Sequence, residues 1–300
     1  MQRRTNGPRT EVERDVSKNA RHMETENASE QFAALLATCE NGGSDYPLDR
    51  ACLLVSKAID PRTDISACEA TLDELAGRAA TIAGRTSEPY ALIGALLESL
   101  FTIGGFEGNA AAYGSSRNSL LAHVIATRTG IPITLSIVLM ETARRIGLSL
   151  EGVGLPGHFI VRFPDPNSRL FIDSFHSGTI IDEAECRALV DRVYGDKLTW
   201  RDDFLASVEP RAILKRVVLN LKNALSNERD YVAALAAIQL QLVIDPDDPS
   251  ELRDRGIILA RLHRYESAIT DLEAYLARQP DAGDGEHIRN TVRYLRRATS

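Results

Sequence analysis

The chain has 300 residues, of which 44% are apolar and 26% are charged, a composition typical of a protein that folds around a hydrophobic core. Its 35 basic and 42 acidic side chains give a net charge of −7, which argues against nucleic acid as a partner. No apolar run reaches the roughly 18–20 residues of a membrane-spanning helix, and the polar N-terminal region lacks an apolar signal segment, so we expect a cytoplasmic protein without membrane contact.

The four cysteines stand apart from one another and lack the spacing of a zinc site or a disulfide framework. We therefore expect reduced thiols, no metal site and no cofactor. Their positions are Cys39, Cys52, Cys68 and Cys186.

The N-terminal part divides into a polar tail and a set of helices. Residues 1–28 have few large apolar side chains, which predicts a disordered tail, and Met23 is an alternative translation start. From about residue 30 apolar residues recur at helical spacing, with breaks near residues 42, 61 and 84, and this predicts four helices. The glycine-rich segment 104–109 lacks the Gly-Lys-Ser/Thr ending of a phosphate-binding loop and is interpreted as a connection.

A helix and a hairpin follow. The helix is predicted from residue 130 to Ile146, because Pro132 suits a first helical turn and Gly147 a helix end. Two strand-like runs, 157–163 and 169–173, are joined by a polar loop and predict a β-hairpin. This order of elements indicates an α+β domain.

The apolar pattern of the hairpin predicts a register. If Phe163 pairs with Ser168, one face is apolar and His158 lies directly opposite Asp173. A shift by one residue would place Asp173 on the apolar face. Because side chains on paired residues lie within reach of each other, the sequence predicts a His158–Asp173 pair.

The C-terminal part shows a repeat of 34 residues, the period of the tetratricopeptide repeat. Gly256 fits the small position of the second unit, whereas Lys222 stands at that position in the first, so we expect looser packing there. Two units are fewer than a free solenoid usually needs, so the tail is expected to dock on the preceding domain. The residues that recur are Leu225 and Leu259, Tyr231 and Tyr265, Ala234 and Ala268, and Pro246 and Pro280.

A His–Asp pair on adjacent strands near the start of an apolar helix is the arrangement of papain-like and transglutaminase-like active sites. Residues from about 30 to 295 resemble the SirB-type bacterial transglutaminase-like family, which carries tetratricopeptide repeats at its C-terminus. The segments that carry the resemblance are RNS (117–119), GIPITLS (130–136), ARRIGL (143–148), GLPGHF (154–159) and IDSFHSG (172–178).

The resemblance implies a transglutaminase-like (papain-like) core with a small antiparallel sheet, in which His158 and Asp173 hold the histidine and aspartate positions. It supplies no thiol, because no cysteine lies between Cys68 and Cys186. The candidate nucleophiles at the helix start are Thr134 and Ser136, although capping of the helix is the alternative role for Thr134.

Three further residues are candidates for lining the cleft. Arg117 and Asn118 would hold the loop above the site or start a helix through local bonds. His176 would line the cleft or lie on a surface turn.

The sequence therefore predicts a tail (1–28), a transglutaminase-like domain (29–205) and a tetratricopeptide tail with a capping helix (206–300). The favoured function is a protein-interaction or regulatory scaffold with a protein or peptide partner and little or no catalysis. The alternatives are a hydrolase or acyl-transferase that uses Thr134 or Ser136 with His158 and Asp173, and a site that binds a small molecule or peptide end without chemistry.

Overall fold

The computed structural model describes residues 11–40, 48–165 and 168–299, with side chains from residue 24 onward except that of residue 40. The four helices predicted for the N-terminal part are present. They are α1 (Glu11–Glu40), α2 (Leu48–Ile59), α3 (Ile65–Ala83) and α4 (Pro89–Leu97).

Helix α1 corrects the prediction of disorder over residues 11–28. Ala28, Phe32 and Leu36 follow one another at four-residue intervals and are buried, so one side of the helix packs on the domain from Ala28 onward. The chain continues this helix back to Glu11, beyond the buried positions. Residues 1–10 of the predicted tail lie outside the described residues.

The middle of the chain surrounds helix α6 (Pro132–Arg145), which lies where the sequence predicts an apolar helix. Two short parallel strands, β1 (Glu107–Gly108) and β2 (Thr129–Gly130), flank the helix α5 (Leu121–Thr127). Part of the glycine-rich segment interpreted as a connection is therefore paired. Eleven of the fourteen α6 residues are buried, so this helix is the centre of the domain.

The hairpin belongs to a four-stranded antiparallel sheet of order β3-β4-β5-β6. Its strands are β3 (Glu151–Val153), β4 (Ile160–Arg162), β5 (Phe171–Asp173) and β6 (Thr179–Ile181). The sequence pattern does not predict the two outer strands, which have three residues each, as the two inner strands do.

The predicted register of the hairpin is wrong by two residues. Val161 pairs with Ile172, so Asp173 lies opposite Ile160 rather than opposite His158. The loop between β4 and β5 is longer than four residues, which moves the pairing along the strands. Because side chains alternate with a period of two, this shift leaves His158 and Asp173 on the same face, as diagonal neighbours.

Both faces of this sheet are covered. Phe159, Val161 and Ile172 belong to the main core around α6. Ile160 and Phe171 face a second apolar cluster, formed with the helix α7 (Glu183–Tyr194) and the segment around Trp200. The sheet therefore lies between two apolar layers.

The tail consists of α8 (Pro210–Asn227), α9 (Tyr231–Ile244), α10 (Pro249–Arg261), α11 (Tyr265–Arg278) and α12 (Gly285–Thr299). The first pair packs into the main core, and the second pair with α12 has an apolar cluster of its own. Gly256 allows α10 and α11 to approach closely, since a Cβ there would lie 2.7 Å from Leu272. Lys222 is buried and binds Glu251 (2.7 Å) and Asp254 (2.8 Å), so it links α8 to α10.

Candidate functional site

The N-terminus of α6 is placed by the pairing of β1 with β2. Gly130 ends β2, and a Cβ at this position would lie 2.9 Å from the hydroxyl of Thr134. The absence of a side chain at Gly130 therefore lets Thr134 fold back over the first turn of the helix. Pro132 begins the helix, where its missing N–H costs no hydrogen bond.

The Thr134 hydroxyl forms hydrogen bonds with backbone groups around it. Its Oγ1 accepts the N–H of Ile131 (3.2 Å). The hydroxyl donates to two carbonyl oxygens, that of Asn118 at 2.8 Å and that of Ile131 at 3.1 Å. Thr134 is fully buried. These contacts are those of a helix-capping residue, the alternative role considered for it.

The Ser136 hydroxyl also bonds to a residue other than His158. Its Oγ lies 3.4 Å from the Oγ of Ser174, and both serines are fully buried. In the described part of the chain, neither Thr134 nor Ser136 forms a hydrogen bond with His158. The structure therefore does not join the predicted nucleophiles to the predicted base.

His158 and Asp173 are in contact, as predicted. The His158 Nε2 lies 2.9 Å from Oδ2 of Asp173, and both residues are buried. A tight turn at Gly157, whose φ is +73°, precedes the histidine. Asp173 is the last residue of β5 and His158 lies two residues before β4, so the pair spans the diagonal between these neighbouring strands.

His176 reaches the same carboxylate. Its Nδ1 lies 2.8 Å from Oδ2 of Asp173, while its side chain is half exposed. The other carboxylate oxygen, Oδ1, accepts the backbone N–H groups of Phe175 (3.0 Å) and His176 (3.3 Å) and so caps the 3-10 turn Ser174–His176. His176 therefore belongs to the site.

The Asp173 carboxylate is held in its charged form by these contacts. Burial raises the pKa of the carboxyl, but the hydrogen bonds and charges of His158 and His176 outweigh burial, so the pKa lies below its usual value. At neutral pH the site therefore contains a buried carboxylate that accepts bonds from two imidazoles.

No described cysteine takes the place of the missing thiol. Cys186 is the nearest in sequence to the site, and it is a residue of α7 that is buried in the second apolar cluster, with Ile160 and Phe171. Burial and the negative charge of Asp173 raise the pKa of Cys186 to about 12, so this thiol stays protonated. It lacks the thiolate character of a nucleophile.

The tail contributes two side chains to the cleft beside His158, which sequence reasoning missed. Arg216 of α8 donates through Nη2 to the carbonyl oxygens of His158 (2.8 Å) and Leu155 (3.3 Å). Its guanidinium lies 5.6 Å from the ring centre of Phe159. No local motif marks this contact, which joins residues 58 positions apart. The cleft is lined by Tyr113, Ile131, Pro132, Ile133, Gly157, His158, Phe159, Arg216 and Asn220.

The two loop candidates differ in position. Asn118 is buried and donates to the carbonyl oxygens of Ala112 (2.7 Å) and Tyr113 (3.1 Å), so it holds the loop that carries Tyr113. Arg117 is exposed and does not line the cleft.

A separate ionic cluster lies at the other end of α6. Glu141 is buried and accepts hydrogen bonds from the Leu48 N–H (3.2 Å) and from Nε of Arg144 (2.8 Å). Burial and the charge of Asp49 raise the pKa of Glu141 to about 7, despite the neighbouring Arg144 and Arg145. A cavity at this end of α6 is lined in part by Glu141 and Arg144 but by none of the residues that line the cleft beside His158.

The fold and the site together define a transglutaminase-like domain that is followed by tetratricopeptide repeats. Comparison with known proteins agrees. A sequence model of the transglutaminase-like superfamily matches residues 66–219, and a tetratricopeptide-repeat model matches residues 221–293. The chain belongs to the transglutaminase-like superfamily.

Similar proteins come from several bacteria. A UPF0162 protein of Vibrio cholerae is 28% identical over 262 residues, which cover 87% of this chain and 97% of that protein. A UPF0162 protein of Xylella fastidiosa is 34% identical over 193 residues, 63% of this chain and 69% of that protein. Protein SirB1 of Salmonella typhimurium is 26% identical over 188 residues, 63% of this chain and 70% of that protein. No solved structure matches the chain.

Proposed function

We propose that this protein is a cytoplasmic interaction or regulatory scaffold whose transglutaminase-like domain performs no acyl transfer. One observation carries the proposal: the Thr134 hydroxyl, at the helix start where this fold class would place a nucleophile, is bonded to Asn118 and Ile131. A nucleophile must be free to attack and must lie within reach of its base. Among the described residues, neither Thr134 nor Ser136 forms a hydrogen bond with His158, whose side-chain partner is Asp173.

The repeat tail supports a role in protein contacts. Repeats of this class generally present a surface to a peptide or protein. No helix among the described residues is long and apolar enough to cross a bilayer.

The surface of α12 suggests the chemistry of the partner. Arg289, Arg293 and Arg297 follow one another at four-residue intervals and are exposed. Tyr294, whose exposed fraction is 70%, lies beside them. In a chain with a net charge of −7, this basic, aromatic face suits an acidic peptide segment.

The test is photocrosslinking in living cells with a photoreactive phenylalanine analogue in place of Tyr294. Val232 on α9 is a matched control position, since its exposed fraction is also 70%. The proposal predicts a discrete adduct from position 294, lost when Arg289 and Arg293 are both changed to Glu, and none from position 232. An equal yield from both positions, or no adduct from position 294, contradicts it.

A further inference from the structure

His158, Asp173 and His176 form a cluster of three metal-binding side chains. The two ring nitrogens and the carboxylate oxygen that face one another all lie within 4.8 Å. They come from three local structures: the turn before β4, the end of β5 and the 3-10 turn that follows β5. The cluster is therefore fixed by the fold of the sheet rather than by one flexible loop.

The distances suit a small divalent ion. Ligands that lie about 2.0–2.2 Å from a transition metal are separated from each other by about 2.9–3.4 Å in octahedral or tetrahedral geometry. The Asp173 Oδ2 already lies 2.9 Å from the His158 nitrogen and 2.8 Å from the His176 nitrogen. Only the two nitrogens need to approach each other, and one side of the half-exposed His176 ring faces solvent.

The charge of the site also favours a cation. Among the described residues, no lysine or arginine forms an ion pair with Asp173, whose partners are the two histidines. When both imidazoles are neutral, the buried cluster carries one negative charge. A bound cation would compensate this charge, as Lys222 does for the buried Glu251 in the tail.

The carboxylate is oriented independently of the histidines. Its Oδ1 accepts two backbone N–H groups of the 3-10 turn, which leaves Oδ2 directed at the imidazoles. Bonds of this kind behind a ligand fix its position and strengthen metal sites. The exposed side of His176 gives an ion an entry path, while His158 closes the other side.

We propose that His158, Asp173 and His176 bind one divalent first-row transition ion. Two imidazoles and one carboxylate suit Zn²⁺, Fe²⁺ or Co²⁺ better than Ca²⁺ or Mg²⁺, which prefer oxygen ligands alone. Three ligands on one side leave coordination positions open toward solvent. This site is independent of the partner surface proposed on α12.

The test is equilibrium dialysis of the tag-free, chelator-treated full-length protein against Zn²⁺, together with the visible absorption spectrum after addition of Co²⁺. The proposal predicts one bound ion per chain and the absorption of Co²⁺ with nitrogen ligands. His176→Ala is expected to weaken binding about tenfold or more. Because the position is half exposed, we expect it to tolerate truncation without loss of the fold, and far-UV circular dichroism checks this.

His263→Ala is the matched control, since His263 lies in the tail and bonds to Tyr265 rather than to the cluster. The affinity of the His263→Ala variant for Zn²⁺ should equal that of the wild type. The proposal is overturned if the wild type binds no stoichiometric ion, or if His176→Ala and His158→Ala bind as tightly as the wild type. The three residues would then form only a hydrogen-bonded cluster.

Discussion

The role of Thr134 is tested by the substitutions Thr134→Val and Thr134→Ser. Valine keeps the shape of the side chain but removes the hydroxyl, so the Ile131 N–H loses its acceptor and the Asn118 carbonyl loses its donor. An unsatisfied buried polar group costs about 1–3 kcal/mol, so we expect Thr134→Val to lower the free energy of unfolding by about 3 kcal/mol. Serine keeps the hydroxyl and loses one buried methyl, at a cost of about 1 kcal/mol.

The assay is urea unfolding followed by the fluorescence of Trp200, the one tryptophan of the chain, which packs near α7 in the transglutaminase-like domain. The order of stability should be wild type, then Ser, then Val. If Thr134→Val is as stable as the wild type, the hydroxyl does not cap the helix, and the reasoning that excludes it as a nucleophile fails.

Two further predictions concern buried charges. The pKa of Glu141 in the folded protein, about 7, lies above the value near 4.5 expected for the unfolded chain, so deprotonation opposes folding and stability falls as pH rises through this window. Between pH 4.5 and 8, the free energy of unfolding of the wild type should therefore fall by up to about 3 kcal/mol relative to that of Glu141→Gln. A difference in stability between the two proteins that does not change with pH would refute this prediction. Lys222→Ala leaves the buried Glu251 without its partner and should destabilise the tail by about 3–5 kcal/mol in thermal unfolding. Lys222→Met should cost less than Lys222→Ala, because methionine fills the space of the lysine side chain. Equal losses of stability in the two variants would contradict this prediction.

The His158–Asp173 contact was predictable although the register was not. Alternation determines which face a side chain occupies, and a shift of two residues changes the partner but not the face. The shift in register follows from the length of the loop between β4 and β5, which the alternation of apolar residues in the strands does not determine. The contact survived because diagonal neighbours are within reach of long side chains.

Other features of the site depend on distant parts of the chain. The contact of Arg216 with His158 arises only when the tail docks on the core, and nothing near either residue indicates it. The role of His176 depends on the 3-10 turn that its backbone forms with Asp173. For Lys222, the sequence predicts looser packing of the first helix pair of the tail. Its ion pairs with Glu251 and Asp254 of α10 could not be predicted, because these residues are distant in sequence and meet Lys222 only in the folded tail.

The absence of acyl transfer is the central claim, and intact-mass spectrometry after treatment with a fluorophosphonate tests it most directly. The probe reacts with activated hydroxyl nucleophiles and so reports on Thr134 and Ser136 together. The account predicts the same unmodified mass for the wild type and for His158→Ala, because both hydroxyls are bonded elsewhere. A stoichiometric adduct on Thr134 or Ser136 that disappears in His158→Ala would contradict the account and establish a hydrolase or acyl-transferase.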